Sequence, residues 1–306
     1  LMPSANLTYS MSDAMNLRAN YQHSVARPQP VDYIPYPVYD TYLLGTFVNR
    51  PVIPSTIHAF ELLLERYINT KDLLSTGLFY RHIHRPFERT TFQYGMDELV
   101  YVLQNSDRAS SYGFEAEIRK QLDFIAGADF LRNMQVSTGV IFTRSTVEGI
   151  RVRPDEESQN SFTETRTVQK RPLSGQTPYL ISSGIRYTGE TLHVNLFFHR
   201  TGRQLFLLGQ NAYQNEYRAP YNLLEANVEY QFPGKGISLK ISGNNLLNSI
   251  QTFYTKTPDD YVRDSYNFPT DKLLPGRSEN YVKESDPVVH QIKNGINVNI
   301  SASYTF

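Results

Sequence analysis

Gly295-Ile296-Asn297-Val298-Asn299-Ile300-Ser301-Ala302-Ser303-Tyr304-Thr305-Phe306 is the stretch on which the reading of this chain turns. Side chains alternate along an extended backbone. Ile296, Val298, Ile300, Ala302, Tyr304 and Phe306 therefore share one face, and Asn297, Asn299, Ser301, Ser303 and Thr305 the other. A strand with one wholly apolar face and one face of small polar groups suits a wall between lipid and a watery lumen. Soluble domains seldom end on an ordered aromatic strand, because termini usually fray.

Composition permits that reading. The sequence has 306 residues, with 30 basic and 30 acidic side chains, so no charge excess points to a nucleic-acid partner. Mean hydropathy is −0.44. No run of about eighteen apolar residues is present, which excludes a helical membrane protein but not a barrel, whose strands are apolar only at alternate positions. Cysteine is absent, ruling out disulfides and thiolate metal sites. Tryptophan is also absent, whereas there are 22 tyrosines and 17 phenylalanines. Tyrosine places its ring in lipid and its hydroxyl among headgroups, and so suits an interfacial girdle. Strands also favour aromatics for packing alone. No signal peptide opens the sequence at Leu1, so an exported protein is expected to have lost it or to be represented by a fragment.

Alternating segments recur along the whole chain. They include Leu17-Ala19-Tyr21, Leu74-Thr76-Leu78-Tyr80, Tyr112-Phe114-Ala116-Ile118, Ile181-Ser183-Ile185-Tyr187, Leu192-Val194-Leu196-Phe198 and Leu224-Ala226-Val228-Tyr230-Phe232. About eleven strands of roughly ten residues result, long enough to cross a bilayer at a tilt. Short connections, such as Ser12-Asp13 and Pro233-Gly234-Lys235-Gly236, alternate with long ones, such as 24–54, 144–176 and 244–294. Antiparallel crossing puts every second connection on the same side, and outer-membrane barrels keep short turns on one side and long loops on the other. A soluble sandwich has no reason to keep that parity. Single-chain bacterial barrels have even strand numbers, and eleven strands would leave two unpaired edges, forbidden in lipid. The expected architecture is an all-β antiparallel transmembrane barrel in which residues 1–306 form one incomplete domain, the C-terminal half, with no plug. The 84–110 and 244–294 stretches are long enough to hide irregular strands.

Several stretches resemble TonB-dependent outer-membrane receptors of Bacteroidetes type. They are Met15-Asn16-Leu17-Arg18-Ala19-Asn20-Tyr21 with Val25-Ala26-Arg27-Pro28, Ser111-Tyr112-Gly113-Phe114-Glu115-Ala116-Glu117 with Arg119-Lys120, Ser242-Gly243-Asn244-Asn245-Leu246-Leu247-Asn248, and the terminal Ser303-Tyr304-Thr305-Phe306. The resemblance implies a 22-stranded barrel of which this chain is half, in the outer membrane of a Gram-negative bacterium. It implies uptake of a scarce nutrient, a siderophore, oligosaccharide or peptide, through long extracellular loops. The implied partners are outer-membrane lipid and lipopolysaccharide, the missing N-terminal half-barrel and plug, TonB, the barrel-assembly machinery and a surface lipoprotein. Tyr304 and Phe306 would form the assembly signal. A plugless scaffold barrel of the same lineage, and a soluble β-rich adhesin, are the alternatives.

Chemistry for an enzyme is not found: no phosphate loop, dinucleotide fingerprint, HExxH or nucleophile elbow occurs, and no cofactor is expected. His82 and His84 share a strand face but show no third ligand. His193 and His199 suit a solvated lumen. Asp259, Asp260 and Asp264 lack calcium-loop spacing. The charges on polar faces, Glu115, Glu117, Arg119, Arg186, Glu225 and Glu229 with Asn227, are expected to line the lumen. A basic group in lipid costs about 2–4 kcal/mol at the midplane, and an acid less. Tyr36, Tyr39, Tyr42, Tyr254 and Tyr261 in the long loops are the candidates for substrate contact, since tyrosine gives area at little rotamer entropy. Packing of the loops against themselves explains them equally well.

Overall fold

The computed structural model describes residues 2–33, 37–40, 45–49, 52–69, 71–94, 98–125, 129–154, 162–209, 212–263, 267 and 269–305. Eleven strands follow one another across a single antiparallel sheet. They are β1 (Ser4–Ser12), β2 (Met15–Ala26), β3 (Ser55–Tyr67), β4 (Leu73–His84), β5 (Arg108–Gln121), β6 (Met134–Pro154), β7 (Tyr179–Thr188), β8 (Leu192–Thr201), β9 (Tyr221–Phe232), β10 (Ile237–Asn244) and β11 (Asn297–Tyr304). Each pairs with its neighbour in sequence, and among the described residues β1 and β11 are open edges. The sheet is a wall that does not close on itself. The far end of β6 carries one more strand, Phe162–Arg171, which pairs back onto it.

Connection lengths alternate through the sheet. Residues 13–14, 68–72, 122–133, 189–191 and 233–236 join strands at one end, and 27–54, 85–107, 155–178, 202–220 and 245–296 at the other. The short turns use local chemistry. Gly234 and Gly236 take φ of 68° and 61°, a backbone region open to glycine without steric cost. At 68–72, Asn69 Oδ1 accepts from the amides of Lys71 and Asp72, both at 2.8 Å. Asp72 in turn accepts from the Gln121 amide at 2.7 Å and from Lys120 Nζ, tying this turn to the end of β5. Those donors, the Gln121 amide foremost, hold its carboxyl below the ordinary carboxylate range.

Register puts the apolar side chains in continuous rows. One row joins Leu7, Ala19, Leu62, Leu78, Phe114 and Phe142 across β1 to β6. Next to it, toward the long loops, run Tyr21, Phe60, Tyr80 and Tyr112. At the short-turn end of the same face lie Tyr230, Phe232 and Tyr304. Aromatic side chains thus stand toward the long loops on β2 to β5 and at the short-turn end on β9 to β11, with aliphatic rows between the two levels, as suits a lipid-facing wall. These side chains are not covered by protein: Leu78 is 59% exposed, Phe142 49% and Ile185 41%.

The buried core lies elsewhere, in the long loops. Three small sheets stand there: 38–40 with 45–49, 98–105 and 87–94; 204–207 with 216–218, 250–254 and 288–293; and 261–263 with 269–273. The stretches suspected of irregular strands do contain strands, but these belong to the loops and not to the wall. Leu205, Leu208, Tyr217, Ala219 and Tyr254 form one buried cluster, and Tyr101 and Leu207 another. Leu208 N donates to Arg89 O at 3.1 Å and Thr91 N to Leu208 O at 2.5 Å, which join the first two loop sheets. The loops therefore form a packed cap at one end of the wall.

Candidate functional site

Two surfaces meet at the long-loop end: the polar face of the wall and the cap. On the polar face, register assembles a row that no single segment reveals. Gln135, Arg186, Asn195, Asn227, Ser242 and Asn299 are successive partners across β6 to β11. Arg186 Nε donates to Asn195 Oδ1 at 3.0 Å. The row beside it sets Glu229 between His193 and Lys240. Glu225 faces Phe197 across β8.

On β5, Glu117 accepts from Arg119 at 2.8 Å, and Glu115 lies on the same face. Asn20 Nδ2 donates to Glu61 at 3.0 Å and Arg18 pairs with Glu65 at 2.7 Å. All the sequence-predicted polar-face residues stand opposite the apolar rows. Asn195, Glu61, Glu65 and Arg18 belong with them and were missed. Their signal was present, because each alternates with an apolar neighbour. It was weak in β3, where Leu63 interrupts the alternation.

The cap is held by buried polar groups contributed by different loops. The Glu88 carboxylate, fully buried, accepts from Arg171 Nη1 at 2.8 Å and Nη2 at 2.6 Å, from Ser106 Oγ at 2.7 Å and from the Ser174 amide at 2.9 Å. Burial alone would raise its pKa, but the bonds and charge of Arg171, with the other donors, hold it below the ordinary value. Lys256 Nζ, buried, reaches Asp286 Oδ2 and Asn280 O, both at 2.7 Å. Arg203 pairs with Glu279 at 2.6 Å and lies 4.9 Å above the Tyr217 ring.

Glu216 and His290 behave differently. They are 3.5 Å apart, yet burial pushes Glu216 up to about 7 and lowers His290, and each shift favours the neutral form. The geometry alone suggests an ion pair. The desolvation cost in so dry a place favours a neutral pair instead. The His290 ring stacks on Phe253 at 4.2 Å.

The loop tyrosines separate into two groups. Tyr39 is 59% exposed and remains open to a ligand. Tyr254 is fully buried, its hydroxyl donating to Glu279 O at 2.5 Å, and Tyr261 is buried with its hydroxyl on Ala212 O at 3.2 Å. Neither is placed to touch a substrate. This corrects the sequence expectation for these two: a tyrosine in a long loop is available only if the loop does not fold on itself. Tyr36, Tyr42 and Phe306 lie outside the described residues, as do Asp264 and residues 155–161. Tyr304 pairs in register with Ile237 at the short-turn end of the wall.

The remaining candidates resolve into local structure. Asp260 accepts from the Thr257 amide at 3.2 Å and hydroxyl at 2.9 Å and pairs with Arg277 at 3.3 Å, and Asp259 pairs with Arg263 at 2.7 Å, so both acids are engaged within their own loop. His82 stands on the apolar face, in register with His58, and His58 with His23. Among the described residues, no group of three or more His, Asp or Glu is close enough to hold a metal ion. His199 Nδ1 shares a hydrogen bond with Ser182 Oγ at 3.0 Å on the polar face.

The 242–248 stretch finds a physical basis here. Asn245 and Asn248 take φ of 53° and 49°, a region that asparagine tolerates better than most residues. The Asn245 side chain accepts from the Ser249 amide at 2.9 Å and donates to Gly295 O at 2.8 Å. It clips together the two ends of the longest loop just above β10 and β11.

A sequence profile of the family described as TonB dependent receptor-like, beta-barrel, matches residues 1–246. No curated protein matches the chain. Among solved structures, it is similar to the copper transporter OprC at 12% identity and TM-score 0.57, over 100% of this chain and 39% of that one. It is similar to a variant of the ferric enterobactin receptor PfeA from Pseudomonas aeruginosa, in complex with enterobactin, at 12% identity and TM-score 0.51, over 99% and 40%. For the FrpB iron transporter from Neisseria meningitidis the values are 13%, 0.52, 100% and 38%. At such identities the likeness concerns the fold, and this chain spans about two-fifths of the length of each.

Proposed function

This chain belongs to the TonB-dependent receptor-like β-barrel family, and from that premise we propose that it forms part of the wall and part of the loop cap of an outer-membrane transporter. Barrels of this family are Gram-negative outer-membrane proteins. The observation that carries the proposal is the joint geometry of cap and wall. Every long connection gathers at one end, over a face whose rows are amides, carboxylates and guanidinium groups, while the opposite face is bare of charge across its aliphatic band.

An open sheet cannot stand in lipid with two unpaired edges. We infer that further strands complete the barrel, to a total of about 22 as in outer-membrane transporters of this size class. In that barrel Glu115, Glu117, Arg119, Arg186, Glu225, Asn227 and Glu229 line a hydrated lumen. Tyr39 and its neighbouring loops meet the substrate first. The cargo is a scarce nutrient, a siderophore, oligosaccharide or peptide. Moving it needs no covalent chemistry. Energy comes from the inner membrane through TonB, as the family implies, because the outer membrane has no nucleotide supply.

The test is whole-cell uptake of labelled candidate nutrients in a strain carrying or lacking the complete gene. Uptake is expected to disappear on deleting either the gene or TonB. Uptake that survives loss of TonB would overturn the transport mechanism. A complete protein that sits in the outer membrane but carries nothing would instead favour a scaffolding role.

A further inference from the structure

The sequence contains a single Asn-Gly step, Asn294-Gly295. It lies at the break between cap and wall. The cap strand 288–293 leaves its pairing with 250–254 at Lys293, and β11 takes up its pairing with β10 only at Asn297. Residues 294–296 therefore belong to no ladder. Asn294 is exposed, and Gly295 takes φ of 72° with open space where a Cβ would stand. Among the described residues neither the Asn294 side chain nor the Gly295 amide makes a hydrogen bond.

That combination is reactive. A backbone nitrogen that follows an asparagine closes a five-membered ring on the side-chain carbonyl carbon when three conditions hold. The nitrogen must be free of a hydrogen bond, nothing must crowd it, and the backbone must be able to turn. Glycine meets the last two better than any other residue. The two Asn-Ser steps within the described residues fail the first. Asn105 Nδ2 donates to Ile53 O at 2.9 Å and Arg85 O at 2.8 Å, and the next amide, Ser106 N, donates to Pro86 O at 2.7 Å. Asn248 precedes Ser249, whose amide donates to Asn245 Oδ1 at 2.9 Å. In both places the attacking nitrogen is already engaged.

We propose that Asn294 is a site of spontaneous deamidation, passing through a succinimide to isoaspartate and aspartate. Gly295 N gives its proton to solvent hydroxide and attacks Asn294 Cγ. The Cγ–Nδ2 bond breaks, and the nitrogen leaves as ammonia after taking a proton from water. A second water then adds to one of the two imide carbonyls and opens the ring. Opening at the main-chain carbonyl leaves isoaspartate, with the chain running through Cβ and Cγ, and opening at Cγ leaves aspartate. The net reaction consumes one water, turns the amide into a carboxylate and releases ammonium. It needs no enzyme and no redox partner.

The position of the site gives this chemistry a structural consequence. Gly295 O is the acceptor for the Asn245 side chain that clips the two ends of the longest loop together. Isoaspartate at 294 inserts one extra main-chain atom just before that carbonyl and leaves a charged carboxylate beside it. The acceptor shifts, the clip opens, and the 245–296 loop is released from the top of β10 and β11. The reaction is independent of what the barrel carries.

The test incubates the complete receptor in detergent at neutral and mildly alkaline pH, beside the same protein unfolded in urea, and maps peptides by mass spectrometry over time. The peptide holding Asn294 is expected to gain about one dalton in the folded receptor, faster at higher pH. Its rate should lie within about tenfold of that in urea, whereas peptides holding Asn105 and Asn248 should change only when unfolded. Asn294→Gln, whose ring would need six members, should stop the gain. Proteolysis within 245–296 should rise about fivefold with conversion of the wild type, the loss of one hydrogen bond, and stay constant in the glutamine variant. An Asn294 peptide that stays intact in the folded receptor while converting in urea would overturn the site, and so would equal conversion of Asn105 or Asn248 in the folded receptor. Conversion at Asn294 with unchanged proteolysis would overturn its link to the clip.

Discussion

Replacing Glu88 with alanine should loosen the cap without disturbing the wall. Its carboxylate takes four hydrogen bonds in a site closed to water, two of them from Arg171, whose side chain is only 13% exposed. Removing one partner of a buried ion pair strands the other charge and costs about 3–5 kcal/mol. Here the Ser106 hydroxyl and the Ser174 amide lose their acceptor as well.

The damage should be local, because 87–94, 171 and 174 belong to loops and the wall strands hydrogen-bond independently. Hydrogen exchange read by mass spectrometry on the complete receptor is the assay. A loss of about 3 kcal/mol corresponds to exchange on the order of a hundredfold faster in peptides spanning 87–105 and 171–178, with β8 to β10 unchanged. The paired change of Glu88 and Arg171 to methionine should cost less than Glu88→Ala, since no charge is left stranded. If Glu88→Ala leaves exchange in these peptides within about twofold, or if the double change costs as much as the two singles together, the buried pair does not hold the cap as argued.

Other outcomes follow from the same geometry. The depressed pKa of Glu88 means that its contribution is present above the ordinary carboxylate value of 4.5 and is lost as pH falls further, so acid should open the 85–107 loop, and Glu88→Gln should abolish that dependence. Glu216 has the opposite sign. Raised from 4.5 to about 7, it contributes fully below 4.5 and loses roughly 3 kcal/mol as pH rises through 7, which Glu216→Gln should flatten in exchange measured on 216–218 and 250–254. Its neighbour His290, lowered by burial, acts against this on the acid side, so His290→Phe should leave the alkaline loss and remove the acidic one. Leu78→Arg, on the apolar face, should cost about 2–4 kcal/mol and cut the yield of folded barrel on heat-modifiability gels, whereas Asn227→Arg, on the polar face, should leave it near wild type. Asn245→Ala loses two hydrogen bonds and a tolerated left-handed backbone, about 2–3 kcal/mol, and should speed proteolysis within 245–296 while sparing the 27–54 loop.

The sequence was informative where structure is local. Alternation in Leu74 to Tyr80 or Leu224 to Phe232 is a property of adjacent residues, and lipid on one side with water on the other imposes it on every strand independently. That is why the number of wall strands, the polar or apolar face of Glu117 and Asn227, and the alternating connection lengths could be read before any pairing was known. The 242–248 stretch could be recognised as a pattern but not explained, because the acceptor of its Asn245 side chain, Gly295 O, lies 50 residues away.

The cap was not legible, and neither were the fates of its tyrosines. Glu88 meets Arg171 across 83 residues and Lys256 meets Asp286 across 30, with nothing periodic to announce either pair. Loop residues are freed from the two-residue rhythm of the wall, so whether Tyr254 is buried or Tyr39 exposed depends on which loops fold against each other. Likewise, β6 outruns β7, whose pairing with it ends at Phe142 opposite Tyr179, a difference in strand length that appears only when register is known. The lipid-facing wall is thus written residue by residue in the chain, while the loop end is decided by contacts between segments far apart in it, since only tertiary folding brings such charges and rings into one dry place.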